Sequence, residues 1–247
     1  MRIRSTVNLA EIADHHGLDL SGACPPVQTG REILLQQDDE RVSPLARAAY
    51  HPDDPISQMA RSLRGSITAL STSRGTPVRS VAVLGLQSGR EASIIAANLA
   101  ITYAQLQTPT VLVDANFEES CQCELLRTSG ERGLAEALEG EVEARALVTP
   151  SAVRGLSVLA AGRQASDSPI LLDGERFHRR AMPLLDMFSM MIVDVGARVC
   201  DPPRLCEAID AAILVVRRNV TPMEDVRYIV DQLHEMNTVV IGTVVAI

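Results

Sequence analysis

An α/β fold, doubly wound around a mostly parallel sheet, is what this sequence predicts, and three observations predict it. Apolar runs of strand length recur at Val81–Leu84, Val111–Val113, Leu156–Leu159, Met191–Val193, Ala211–Val216 and Thr238–Val245. Most are apolar nearly throughout instead of alternating, the pattern of strands covered on both faces. Stretches with helical spacing separate them, and strand–helix alternation of this kind builds a parallel sheet with helices on both sides. At 247 residues the chain is long enough for one full α/β core plus an extension. Aromatic residues make up only 2% of it, so the core must be built from Val, Ile, Leu, Ala and Met.

Taken in order, residues 1–54 read as an irregular, partly disordered N-terminal arm, and residues 55–247 as the domain. Ser5-Thr6 is placed to cap a short helix carrying Val7, Leu9, Ala10 and Ile12, with Gly17 ending it. Cys24-Pro25-Pro26, the acidic Asp38-Asp39-Glu40 and His51-Pro52-Asp53-Asp54-Pro55 then break any periodicity. Two readings of the arm stay open, a flexible tail and a docking segment for a partner. Tyr50 falls within it, in a segment read as flexible.

A helix is expected over Pro55–Leu70, with Ile56, Met59, Ala60, Leu63 and Ile67 on its apolar face. Gln58, Arg61 and Arg64 recur at i, i+3 and i+6 and form a row on another face. Val81 to Leu106 reads as a strand, a glycine-containing turn and a helix. Thr110–Asp114 is the next strand, Leu134–Leu138 begins a short helix, and Leu156–Leu159 is a strand. The pattern over Glu175–Met187 is helical, but Pro183 inside it should kink or divide the helix. Ala211–Val216, an amphipathic helix over Met223–Met236 and a last strand over Thr238–Val245 complete the chain.

The net charge of −8 argues against non-specific binding to nucleic acid and against docking on an anionic membrane surface by charge. No apolar run approaches the roughly 20 residues of a spanning helix, and Met1-Arg2-Ile3-Arg4 leads into no signal-like apolar region. The expectation is a cytoplasmic protein without direct membrane insertion. Five cysteines, at 24, 121, 123, 200 and 206, fit reduced thiols. Cys121-Gln122-Cys123 lacks the second pair that zinc spacing requires. There is no lysine in the sequence.

A strand feeding a helix through a glycine turn aims backbone N–H groups and a helix N-terminus at a phosphate. Several segments, in this order, resemble the cytoplasmic domain of the bacterial tyrosine kinases (BY-kinases) of capsule and exopolysaccharide synthesis, relatives of the MinD/ParA ATPases. They are Pro55–Arg64, Val81–Leu106, Val111–Asn116, Gly133–Gly140, Val153–Gly162 and Met191–Asp194. The resemblance implies a P-loop NTPase sheet of the MinD/ParA/BY-kinase type, an ATP and magnesium site, and ATP-dependent protein-tyrosine autokinase activity.

The resemblance also sets a register in which this sequence departs from the family. A phosphate loop reads G-x-x-x-x-G-K-S/T, and its key positions are here Ser88, Gly89, Arg90, Glu91, Ala92 and Ser93. Ala92 replaces the lysine and Glu91 the close-approach glycine, so a carboxylate stands where a phosphate would bind. Where the family has Asp-x-Asp-x-Arg, the chain has Asp114, Asn116 and Glu118, and where it has Pro-Pro after the third acid, Asp194, the chain has Gly196-Ala197. The family's asparagine at the adenine edge is replaced in Val244-Val245-Ala246, and a tyrosine-rich tail is expected to be lacking after Ile247. Ser93, Asp114 and Asp194 remain as oxygen ligands suited to magnesium. They are open to two readings, a residual metal site or inherited polar residues at the sheet rim with Ser93 capping its helix. Gln58, Arg61 and Arg64 match the family's Glu-x2-Arg-x2-Arg self-association helix, with its glutamate neutralised; the alternative is a solvated helix face.

These departures lead to the expectation of a non-catalytic, pseudokinase-type protein of exopolysaccharide or capsule synthesis and export, with no cofactor expected though ATP and magnesium stay open. Its partners would be the cytoplasmic segment of a membrane polysaccharide co-polymerase (Wzz-like) or an active BY-kinase, with a homo-oligomer also open and recruitment to the inner membrane through a partner. One alternative is a weak ATPase or tyrosine kinase acting in trans, with Arg90 replacing the lysine and Asp114 and Asp194 as remnant catalytic acids. Another is a MinD/ParA-like localisation factor.

Overall fold

The computed structural model describes residues 35, 40–72, 75–163, 168–197, 202 and 204–246. One seven-stranded sheet organises them. Its strands are β1 (Ser80–Gly85), β2 (Thr110–Asp114), β3 (Thr149–Pro150), β4 (Leu156–Leu159), β5 (Met190–Ala197), β6 (Ala211–Arg217) and β7 (Val239–Ala246), in the order β3-β4-β2-β5-β1-β6-β7. Every pairing is parallel except that of β3 with β4. β1 lies inside the sheet between β5 and β6, and all six of its residues are buried. Successive strand residues point to opposite faces. Val81 and Val83 belong to one core layer and Ala82 and Leu84 to the other, so the unbroken apolar runs serve two layers at once.

The first layer is built on helices α1 (Pro55–Thr68) and α2 (Glu91–Gln105). α1 starts where the sequence places it: Pro55 occupies its first turn and the Asp54 side chain accepts the Ile56 N–H at 2.9 Å. From Ala92 to Gln105 every residue of α2 is buried, because α2 is covered by the sheet beneath and by further chain above. Short helices α3 (Gln122–Leu126), α4 (Leu134–Glu139), α5 (Ala144–Leu147), α6 (Ser168–Leu171) and α7 (Gly174–Arg180) follow, then the longer α8 (Met223–Glu235). Members of α4, α7 and α8, among them Leu134, Phe177, Ile229 and Leu233, fill the second layer. The helical stretch around Pro183 is divided, as its proline requires: α7 ends at Arg180 and a 3-10 turn runs from Met182 to Asp186.

The segment just before α1 differs from its expected looseness. Val42, Ala46, Ala48 and Ala49 are buried in the first layer, and Arg47–Ala49 forms a 3-10 turn. Two polar residues of α2 hold this stretch. Asn98 accepts the Ala48 N–H at 2.8 Å and donates to the Leu45 carbonyl at 3.1 Å, and Gln105 donates to the Ala48 carbonyl at 2.6 Å. Tyr50, read as lying in a flexible segment, is buried, and its hydroxyl donates to the Val42 carbonyl at 2.6 Å. Residues 1–34 and 36–39, with the Ser5-Thr6 helix, Cys24 and Asp38-Asp39, lie outside the described residues, as does Ile247. Among the described residues no helix is long and apolar enough to cross a membrane.

Candidate functional site

The C-terminal ends of β1, β2, β5 and β6 gather the residues singled out in the sequence, as parallel sheets gather their sites at that edge. The loop after β1 carries Gly89 at φ +136°, a conformation that favours glycine. A side chain there would collide with the Glu91 carboxylate and sit 2.9 Å from Arg217 Nη2. Glu91 therefore folds back into the loop that precedes it. Its Oε1 accepts from Arg217 Nη2 at 2.7 Å, and the same nitrogen donates to the Ser88 carbonyl at 3.1 Å. The negative charge of Glu91 lies in the first turn of α2, where the helix dipole favours an anion. Between Glu91, Ala92, Val216, Arg217 and Ala246 there remains a cavity of about 10 Å³, room for about one water molecule.

Arg90 is turned to another task. Both its terminal nitrogens meet the Glu124 carboxylate on α3, at 3.2 and 2.8 Å. Ser93 does not cap α2: its hydroxyl is buried and makes no hydrogen bond, though it lies close enough to Asp194 to favour that residue's charged form. The N-cap position is instead Arg90, whose side chain makes no capping hydrogen bond.

Asp114 and Asp194 end neighbouring stretches of β2 and β5 in register with each other, with exposures of 1% and 0%. Asp114 accepts backbone N–H groups from Asn116 at 3.1 Å, Cys121 at 3.2 Å and Gln122 at 3.0 Å. Asp194 accepts the Gly196 N–H at 3.0 Å and the Gln122 side-chain amide at 2.6 Å. Gly196 has φ +70°; a proline, which the resemblance leads one to expect there, could neither take this conformation nor donate that N–H. Burial, followed by the charge of Asp194, pushes Asp114 up to about 8 against the pull of those backbone donors. Burial likewise raises Asp194, opposed by Ser93 and Gln122. A doubly ionised pair is thus disfavoured at neutral pH.

The row on α1 is divided. Gln58 is exposed and donates to the Asp53 carbonyl at 3.0 Å, Arg61 donates to the Pro52 carbonyl, and Arg64 is buried and donates to the Thr102 carbonyl of α2. Asn116 bonds the Glu119 backbone through both ends of its amide, at 2.9 and 3.2 Å. Cys121 and Cys206 are buried and Cys123 half-buried, all as free thiols; Cys200 lies outside the described residues. Among the described residues no three His, Cys, Asp or Glu side chains cluster as a metal site would need. No sequence pattern announces two participants, Arg217 and Gln122. Arg217 lies 126 residues from Glu91, and Gln122 sits in a stretch too short to show periodicity.

No family model matches the chain. Among curated relatives it is 25% identical over 212 residues to the tyrosine-protein kinase ptk of Acinetobacter johnsonii, covering 85% of this chain and 27% of that one. It is 24% identical over 154 residues to the putative tyrosine-protein kinase CapB of Staphylococcus aureus, covering 62% of this chain and 66% of that one. The succinoglycan biosynthesis transport protein ExoP of Rhizobium meliloti is 26% identical over 198 residues, 78% of this chain and 25% of that one. The chain therefore spans between 25% and 66% of these relatives' lengths. Among solved structures, the chimerical protein CapA2B2 superposes with a TM-score of 0.73 at 19% identity, covering 96% of this chain and 97% of that one. The kinase domain of the Escherichia coli tyrosine kinase ETK gives 0.70 at 18%, covering 95% and 86%. MinD of Pyrococcus horikoshii complexed with Mg-ADP gives 0.57 at 15%, covering 67% and 68%. The homologues of this chain are bacterial tyrosine kinases, and its mostly parallel seven-stranded sheet is the fold of BY-kinase domains and MinD/ParA-type P-loop NTPases.

Proposed function

We propose that this chain is a non-catalytic relative of the BY-kinases that works in bacterial exopolysaccharide or capsule synthesis by binding another protein, without using nucleotide. The observation that carries the reading is the Glu91 carboxylate folded into its own phosphate loop and held there by Arg217. A phosphate brought to this loop would meet a like charge a few ångströms away and would have to displace an ion pair. Ala92 supplies no cation in the lysine position, and the arginine next to the loop, Arg90, is engaged by Glu124. Phosphoryl transfer depends on positioning and on neutralising the phosphates' charge, so a loop altered in this way leaves little basis for turnover.

The pathway follows from the relatives, which are tyrosine kinases and a succinoglycan biosynthesis transport protein. The partner we propose is the cytoplasmic segment of a membrane polysaccharide co-polymerase or an active BY-kinase, which would also bring the chain to the inner membrane. Self-association through the α1 face of Gln58 and Arg61, anchored beneath by Arg64, belongs to the same proposal. The test is to incubate the purified protein with ATP and magnesium, alone and with an active bacterial tyrosine kinase. The reading expects no ADP release and no phosphotyrosine from the chain alone, and a change in the kinase's own phosphorylation when the chain is added. ATP turnover that Asp114→Ala abolishes would overturn it.

A further inference from the structure

We infer that the side-chain amide of Gln122 is the built-in occupant of the space between Ser93, Asp114 and Asp194, and that this cluster is closed by N–H donors and takes no divalent cation. Gln122 is fully buried at the first position of α3. Its Nε2 lies 2.6 Å from Asp194 Oδ2 and 3.0 Å from the Ser93 carbonyl oxygen, while its backbone nitrogen lies 3.0 Å from Asp114 Oδ2. One residue therefore joins both acids and the first turn of α2. The orientation of the amide is fixed by chemistry: the Ser93 carbonyl can only accept, so the NH2 end must face it and, with it, Asp194.

Among the described residues, five nitrogens donate to the two carboxylates, the backbones of Asn116, Cys121, Gln122 and Gly196 and the Gln122 side chain, with the Ser93 hydroxyl close to Asp194. Magnesium demands oxygen ligands in a near-octahedral shell at roughly 2.0–2.1 Å. An N–H aimed at Asp194 Oδ2 puts a partial positive charge where such an ion would approach, and the amide fills the space its water shell would need. Of the cluster, the Ser93 hydroxyl and Gln122 Oε1 are left without a hydrogen-bond partner, and two neutral oxygens are no coordination shell for a divalent cation. The residues present thus do not fit the cation that the fold holds in MinD complexed with Mg-ADP.

The consequence is mechanical. The segment after β2, which carries Asn116 to Gln122, and the end of β5 around Asp194 are tied to α2 through Gln122, a side chain of this chain itself. The surface they present to a partner is then independent of magnesium. This rests on residues other than Glu91 and Arg217, and it stands or falls separately from the nucleotide reading.

The test is a titration of Mn2+, without nucleotide, into the full protein, read by electron paramagnetic resonance and by thermal melting. Wild type and Asp194→Asn should bind Mn2+ alike, with no melting shift specific to wild type. Gln122→Glu exchanges the donor for a third carboxylate of the same shape and should bind Mn2+ about 10-fold or more tightly than wild type. That gain should vanish in the Gln122→Glu/Asp194→Asn double variant. Wild-type Mn2+ binding or thermal stabilisation that Asp194→Asn removes would overturn the inference. So would a folded Gln122→Glu protein that binds Mn2+ no better than wild type. Should Gln122→Glu fail to fold, Gln122→Ala, which opens the space, takes its place, and the comparison of wild type with Asp194→Asn decides on its own.

Discussion

At the start of α2, Glu91 places a negative charge in the first turn of the helix, where the dipole favours an anion. Arg217 holds it in place from β6. Both side chains are partly exposed, at 37% for Arg217 and 21% for Glu91, so Arg217→Ala should cost about 1 kcal/mol or less in a denaturant melt. Its sharper effect should be faster cleavage or hydrogen exchange within residues 87–91, which lose their anchor. Asn98 is the opposite case. It is fully buried and makes three hydrogen bonds, two of them to the segment before α1. Asn98→Leu should therefore destabilise by about 2–3 kcal/mol, because the Ala48 N–H and the Leu45 carbonyl lose their partner. Glu91 and Ala92 were legible in the sequence because they break a motif of fixed spacing. Arg217 was not, because nothing local distinguishes an arginine after an apolar strand until the sheet brings β6 beside β1.

At the scale of elements, the strands and long helices were legible because their residues carry a period or an unbroken apolar run. The start of α1 was legible from Pro55, whereas its cap, Asp54, emerged only from the structure; Asp54→Ala should cost about 1 kcal/mol through loss of that cap. The segment 42–50 was not legible. Half of its six buried residues are alanines, which show no strong apolar pattern, and its hydrogen-bonding partners, Asn98 and Gln105, are on a helix 50 or more residues away. A boundary at Pro55 therefore cuts through packed structure. A chain beginning at Pro55 should melt well below one beginning near residue 40, because α2 would lose the layer that covers it. Equal melting temperatures would show that this layer contributes nothing. Gln122 escaped notice for a similar reason: a five-residue helix has no period, and the role of a single amide emerges only from what surrounds it.

For the whole molecule, the buried acid pair couples stability to pH. Asp114 titrates near 8 in the folded protein against an ordinary 3.8. Below about pH 4 the folded and unfolded chains both hold this proton, and its full contribution to stability is present. As pH rises through about 4 to 8, the unfolded chain gives up a proton that the folded chain keeps, so stability falls. The melting temperature should decline between about pH 5 and pH 8, and Asp114→Asn should flatten that slope. A slope unchanged by the substitution would place the pH dependence elsewhere.

If Glu91 closes the phosphate loop, nucleotide finds no place to bind. Calorimetric titration of the intact protein with ADP, with and without magnesium, measures this. Only the heat of dilution is expected up to millimolar nucleotide. Saturable binding in the micromolar range, strengthened by magnesium, would contradict it.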